Sequence, residues 1–436
     1  MSGDLAGWIV VRREGAIRSI RAAVSATGLV RQRPGFGWAV RPAPGSVLAS
    51  PRLADWNPEP DYFHHWIRDA AVVMRVLPDI LPHVGDEDRA WWLQAFRDHV
   101  RFSLAISDPD RPPLAENPLR RSTRASHLEY LRPDVELQAL RGAARLGEPR
   151  VAADGTPDLE RWTRPQDDGP ALRVGCCLQV IAALPELDGE AVARLVRRDL
   201  DHLAEVAGRP CIGPWEEEPP RRHAFTLIVQ WDALDRGAAW FAARGEAAEA
   251  ARMAAAAARV AGLLDACAAP SAAAWKDSIE AGPADHDASS VLAILHAGRD
   301  SGPFGLSASR TMGTVAALER DFAALYPINA DRQVLAMGRS KTDGFFGGNP
   351  WYPVTLGFAE LHYRLAERNR ARPAFEKAEA WMRLIREVAP AGDALPEQFD
   401  RRTGAPVSSL GLTWSAAAFV AAAAARDAAV QAMRSR

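Results

Sequence analysis

Two short passages carry carboxylates in settings suited to proton transfer: Trp215-Glu216-Glu217 and Pro396-Glu397-Gln398-Phe399-Asp400. Each places an acidic residue beside aromatic side chains, just ahead of a stretch with helical periodicity. Hydrolysis of a glycosidic bond needs one carboxyl kept protonated as an acid and a second kept ionised as base or nucleophile. Two Glu residues in unlike surroundings let one pocket hold both states near neutral pH. Acidic residues also gather at helix starts simply to complement the helix dipole, so the pair gains its meaning from what surrounds it.

A sugar ring offers flat apolar faces to Trp or Tyr and hydroxyls to Arg, Asp and Asn. Loops of that composition recur along the chain. Asp61-Tyr62-Phe63-His64-His65-Trp66-Ile67-Arg68-Asp69 sets an Arg-Asp pair beside aromatic residues at a helix start, where Asp69 could also merely answer the dipole. Trp162-Thr163-Arg164-Pro165-Gln166-Asp167-Asp168-Gly169-Pro170 leads into a helix, with Pro well placed in its first turn. Arg339-Ser340-Lys341-Thr342-Asp343, followed by Gly347-Gly348-Asn349-Pro350-Trp351, lets backbone approach a ligand closely and lacks the spacing of a nucleotide phosphate loop. Asp343 and Asp400 read as groups that orient an Arg or a Glu. His64 and His65 are adjacent on one loop and no metal-binding spacing accompanies them, so neither a metal nor another cofactor is expected. His202, His223, His286 and His362 have no partner legible in the sequence.

Helices must position these loops. Val192, Leu195, Val196, Leu200 and Leu203 form one apolar stripe, with Arg194, Arg197, Arg198 and Asp201 on the other face. Similar periodicity predicts helices over 8–26, 68–81, 86–106, 168–184, 224–243, 246–267, 287–298, 312–325, 351–370, 373–388 and 412–433, twelve with the 190–206 segment. Alternating β-branched runs are scarce. The Ala-rich 412–433 segment is apolar on most sides and should be enclosed, whereas two-faced segments should lie outside. That alternation suggests an all-α (α/α)6 toroid, six inner and six outer helices around a central pocket; a solenoid would show an internal period, and none is visible. Trp-, Gly- and Pro-rich connections, among them Gly35 to Trp38, Pro51 to Asp69 and Pro390 to Gly404, are expected to wall the pocket. Trp8, Trp91, Trp92, Trp231, Trp240, Trp275 and Trp381 fall on helical patterns and read as core.

The 436 residues are 48% hydrophobic, enough for a full core, and residues 1–436 are expected to form a single catalytic domain. Lys plus Arg number 53 against 55 Asp plus Glu, and the absence of a basic run argues against nucleic acid or a membrane surface as partner. Cys176, Cys177, Cys211 and Cys267 lack metal-type spacing and read as buried thiols in a reducing compartment. With no secretory pattern at the N-terminus, a cytoplasmic monomer is expected.

These blocks together resemble the glucoamylases, glycoside hydrolase family 15. The resemblance runs through Gly45 to Asp69, Leu146-Gly147-Glu148-Pro149, Arg164 to Arg173, Trp215-Glu216-Glu217 with Phe225-Thr226, Arg339 to Trp351, and Glu397-Gln398-Phe399-Asp400 with Leu412-Thr413-Trp414-Ser415. It implies an (α/α)6 barrel and an inverting exo-hydrolase that releases glucose from the non-reducing ends of α-glucans. Glu216 matches the general acid and Glu397 the general base. Glu217, Arg339 and Trp351 match positions lining the sugar sites. Tyr62, Trp66, Arg68 and Asp69 match the floor around the terminal glucose, and Trp162 and Trp215 match aromatic walls. Inversion requires room for a water between the carboxyls, a separation of about 6.5–9.5 Å.

Three departures stand out. Glu218-Pro219-Pro220-Arg221-Arg222 replaces a short turn, Arg339-Ser340-Lys341-Thr342-Asp343 replaces the usual Arg-Tyr-Pro-Glu-Asp, and His64 stands where an aromatic residue is common. The first two segments border the second sugar, which leaves a glucodextranase or trehalase acting on α-1,6 or α,α-1,1 links as an alternative. A phosphorylase fits less well, because Glu397 is retained. A non-catalytic glucan-binding scaffold is the third reading. With no starch-binding module visible, short soluble oligosaccharides are the expected substrates.

Overall fold

The computed structural model describes residues 4–54, 59–269 and 274–435; residues 55–58 of the Pro51 to Asp69 connection lie outside the described set. Fourteen α-helices occur among the described residues: α1 (Leu5–Ala23), α2 (Ile67–Arg75), α3 (Leu77–Ile80), α4 (Asp86–Ile106), α5 (Asp134–Ala139), α6 (Asp168–Ala183), α7 (Glu190–Val206), α8 (Ala224–Ala242), α9 (Ala247–Leu264), α10 (Ser289–Ala297), α11 (Ser309–Leu325), α12 (Tyr352–Asn369), α13 (Arg372–Val388) and α14 (Thr413–Arg434). Three two-stranded antiparallel ribbons accompany them: β1 (Arg31–Arg33) with β2 (Trp38–Val40), β3 (His64–Trp66) with β4 (Arg150–Ala152), and β5 (Gln398–Phe399) with β6 (Pro406–Val407).

The helices form two concentric layers. In the inner ring α2 packs on α6, α6 on α8, α8 on α10, α10 on α12, α12 on α14, and α14 returns to α2. Outside lie α1 against α14, α4 against α7, α7 against α6 and α8, α9 against α8, α11 against α10, and α13 against α12. This is the (α/α)6 toroid that the helix pattern predicts. Residue chemistry sorts the layers. Every residue of α10 is buried, which a helix enclosed on all sides requires, whereas α7 buries Val192, Leu195, Val196, Leu200 and Leu203 and leaves Arg194 and Asp201 in water. Truncating a fully enclosed side chain such as Leu195 to Ala would cost about 2–5 kcal/mol.

The predicted 68–81 helix is two helices, parted at Val76, with Pro78 in the first turn of α3. A void of about 10 Å³ lies among Val72, Leu172, Val229 and His296, where α2, α6, α8 and α10 meet inside the ring. The N-terminal ends of the inner helices gather on one side of it, and the functional loops precede those ends.

Candidate active site

A cavity of about 280 Å³ opens at the N-terminal ends of the inner helices. All eleven residues singled out from the sequence line it: Tyr62, Trp66, Arg68, Asp69, Trp162, Trp215, Glu216, Glu217, Arg339, Trp351 and Glu397. Ala49, Pro214, Phe345, Leu412 and Trp414 complete the wall. A larger cleft of about 1120 Å³ lies between α7 and the 132–148 segment, but volume does not choose between the two. The chemistry does: the paired Glu residues and the aromatic rings converge on the smaller one. It is near the lower end of the ~300–1,000 Å³ typical of ligand sites.

Glu216 sits at φ +64°, a left-handed conformation that non-glycine residues rarely adopt and that commonly marks functional sites. Its Oε1 accepts from Trp66 Nε1 at 2.8 Å, Gln166 Nε2 at 3.0 Å and Arg68 Nη2 at 3.2 Å, and its Oε2 accepts from Trp162 Nε1 at 2.8 Å. Arg68 is buried, reaches Asp168 Oδ2 at 2.8 Å through its other terminal nitrogen, and lies 3.8 Å from Asp69. The Arg68-Asp69 pair is thus looser than Arg68-Asp168. Burial, with Glu216 and Asp168 adding to it against Arg68, pushes the Asp69 carboxyl up to about 6.

Glu397 has different company. It precedes β5, and its backbone is fixed on both sides: its N–H donates to the Ser409 carbonyl at 2.7 Å and its carbonyl accepts from Tyr352 N–H at 3.0 Å. The Ser408 hydroxyl donates to Oε2 and the Tyr62 hydroxyl to Oε1 at 3.3 Å. Ser408, too, has a positive φ, +62°. Burial pushes the Glu397 carboxyl up to about 7, although Ser408, Arg339 and Tyr62 all favour its ionised form. No hydrogen bond joins Glu397 to Glu216 among the described residues.

Arg339 closes one side. Its Nη2 donates to Glu217 Oε1 at 2.9 Å and also pairs with Asp343, while the guanidinium lies 5.1–5.3 Å from the ring centres of Trp215, Trp351 and Phe345. Asp343 therefore orients an Arg, as the sequence suggested. Asp400 does not: it accepts from the backbone of Arg402 and Thr403 within its own turn. Trp215 is anchored from behind, its Nε1 donating to Asp287 Oδ1 at 2.9 Å, and burial beside Asp277 raises the Asp287 carboxyl to about 7.

His64 and His65 point to opposite faces of β3, one against Arg33 and the other accepting from Val47 N–H, and no cluster of three metal-ligating side chains occurs among the described residues. His202 pairs with Asp167, His223 with Asp277, and His286 and His362 with backbone carbonyls. All four Cys residues are buried and free. Not every Trp-rich connection walls the cavity: Trp38 packs beside Phe36 and Leu114 against a separate small core. Sequence reasoning missed Ser408, whose Val407-Ser408-Ser409 context carries no distinguishing signal, and left Gln166, Asp168, Phe345 and Trp414 unassigned although it quoted their segments.

A two-layered helical toroid with paired carboxyls and an aromatic frame at the helix N-termini defines a class of carbohydrate-active proteins. The profile of the glycosyl hydrolases family 15 matches residues 36–104 and 119–424, and the chain belongs to that family. Among curated relatives, Glucoamylase-1 of Arthroderma benhamiae is 27% identical over 461 residues, covering 91% of this chain and 66% of the relative. Glucoamylase 1 of Rhizopus oryzae is 25% identical, covering 87% and 66% respectively. The chain thus spans about two thirds of the length of these relatives. Among solved structures, the glycoside hydrolase family 15 glucoamylase from Hypocrea jecorina superposes with a TM-score of 0.78 at 22% identity, over 97% of this chain and 72% of that one. The glucoamylase from Saccharomycopsis fibuligera gives 0.75 at 19%, over 98% and 96%. These likenesses establish the shared toroid.

Proposed function

We propose that this protein is an inverting, exo-acting α-glucosidase of the glucoamylase type, with Glu216 as general acid and Glu397 as general base. The observation that carries the reading is the convergence of these two carboxyls, 181 positions apart (397 − 216), on one cavity where they are held by separate sets of partners. With Oε1 of Glu216 accepting three hydrogen bonds and Oε2 only one, a proton on this residue belongs on Oε2. From there it passes to the glycosidic oxygen as the bond to the anomeric carbon breaks. Glu397 takes a proton from the water that attacks the opposite face, which inverts the configuration. Trp66, Trp162, Trp215 and Trp351 supply apolar faces, while Asp69, Arg68 and Arg339 supply groups for sugar hydroxyls.

Glu216→Gln and Glu397→Gln should each lower maltotriose turnover by about 10²–10⁴-fold or more with the fold retained. Near-native turnover in either variant refutes the assignment. Linkage is read where Trp215, Glu217 and Arg339 also border an adjoining chamber of about 200 Å³, lined by Ser340 and Thr342 of the altered loop. That observation favours testing isomaltose and trehalose beside maltose, and preference for either would shift the reading to the α-1,6 or α,α-1,1 linkage. Four free, buried thiols support a reducing compartment, which cell fractionation would check.

A further inference from the structure

Beneath the cavity runs a row of buried ion pairs that the mechanism above does not use. Arg150 is its centre. It lies on β4 directly opposite Trp66 in the β3–β4 register and is 1% exposed. Its guanidinium carbon stands 3.7 Å from the ring centre of Trp162 and 4.9 Å from that of Trp66. Those are the two indoles whose N–H groups hold Glu216, one on each carboxyl oxygen. The rings meet edge to face, with centres 5.8 Å apart at 74°. The guanidinium is fixed in turn: Nε donates to Asp158 Oδ2 at 3.0 Å, and Nη2 lies 3.8 Å from Glu160. Both carboxylates are shared, Asp158 with Arg164 and Glu160 with Arg33.

We infer that Arg150 is a positioning residue for the acid, acting on Glu216 through the two indoles. A cation held against a π face is attracted by the ring quadrupole and draws electron density from the ring, which strengthens the indole N–H as a donor. The planar guanidinium also fixes the mutual tilt of the rings, and so the direction of both N–H bonds. No hydrogen bond joins Arg150 to Glu216 among the described residues; beyond the indoles, only through-space attraction links the two charges. The consequence is chemical: loss of Arg150 leaves Glu216 present but misdirected at the moment it must hand its proton to the leaving oxygen.

This inference rests on Glu216 being the acid, and leaving-group chemistry separates the two claims. Fluoride departs from α-glucosyl fluoride with little need of a proton, whereas the sugar oxygen of maltotriose needs one. Both substrates require Glu397 to take the proton of the attacking water. Two variants carry the test: Arg150→Lys, which keeps a cation opposite Asp158, and Arg150→Met combined with Asp158→Asn, which removes the pair as a unit. The double variant should lose about 10²-fold in kcat on maltotriose and only about threefold on the fluoride, with Arg150→Lys intermediate and KM little changed. Either variant that melts cooperatively suffices. Equal loss on both substrates, no loss on either, or failure of both variants to fold assigns Arg150 to the scaffold and overturns the proposal. Glu216→Gln is the control: if it lowers both substrates equally, the acid assignment itself falls.

Discussion

Glu216 and Glu397 face the same cavity from opposite kinds of surroundings. Around Glu216 every partner is a pure donor: two indoles, an amide nitrogen and a guanidinium. Around Glu397 the side-chain partners are hydroxyls, from Ser408 and Tyr62, which can either donate or accept. A hydroxyl can turn to serve a carboxylate or a carboxylic acid, so Glu397 can change charge without losing its company. Glu216 also changes charge when it gives up its proton, but its donors cannot turn to accept. With Oε1 taken by three donors, its proton has one available oxygen, so the frame around it sets the direction of the proton. The partners of one carboxyl can turn with its charge, and those of the other fix its aim.

The largest effect should come from asking each carboxyl for chemistry that only the other supplies. On α-glucosyl fluoride, Glu397→Gln should still fall by about 10²–10⁴-fold, because attack by water always needs a base, while Glu216→Gln should recover most of the wild-type rate. If the two variants respond alike, the division of labour is wrong.

A smaller effect concerns pH. A base must be ionised, and the Glu397 carboxyl lies at about 7, so kcat/KM should rise with pH through about 7. Ser408 and Tyr62 favour the ionised form, so Ser408→Ala should move that limb to higher pH, and Tyr62→Phe, at 3.3 Å from the carboxyl, should move it less. A limb that stays in place in both variants would separate these hydroxyls from the base.

The smallest effect is on stability. A carboxyl raised by burial binds its proton more tightly in the folded state than in the unfolded state. Its contribution is complete below about 4.5 and is lost as pH rises through about 7. Gln cannot ionise, so the melting temperature of Glu397→Gln relative to wild type should climb between about pH 5 and about pH 8, by an amount equivalent to about 2 kcal/mol. A constant offset would contradict the strained ionisation.

Much of this was legible in the sequence because long helices advertise themselves. Val192 to Leu203 repeats its apolar stripe often enough to fix α7, and the Ala-rich 412–433 segment, apolar on most sides, foretold an inner helix. Elements of two to six residues, such as α5 and the three ribbons, are too short to display a period. The break at Val76 between α2 and α3 was hidden because one helical pattern runs through 68–81 across it, with only Pro78 to mark it. Within the site, Trp, Arg and Glu stood out because those residues are costly to place without a task. Ser408 did not, since its role comes only from the fold of β6 against Glu397. Arg150 carried no signal in the sequence, because its two aromatic neighbours, Trp66 and Trp162, come onto it only through the fold.

The closure of the inner ring through α14 also bears on how the molecule is made. During synthesis α2 emerges early, yet one of its flanking partners, α14, is the last helix of the ring to leave the ribosome. Until then α2 and α12 each present an open apolar flank, and Ala49 lacks the Thr413 N–H that its carbonyl accepts at 2.8 Å. Nascent chains stalled short of residue 413 should therefore bind chaperones and yield to protease, however complete the rest of the circle.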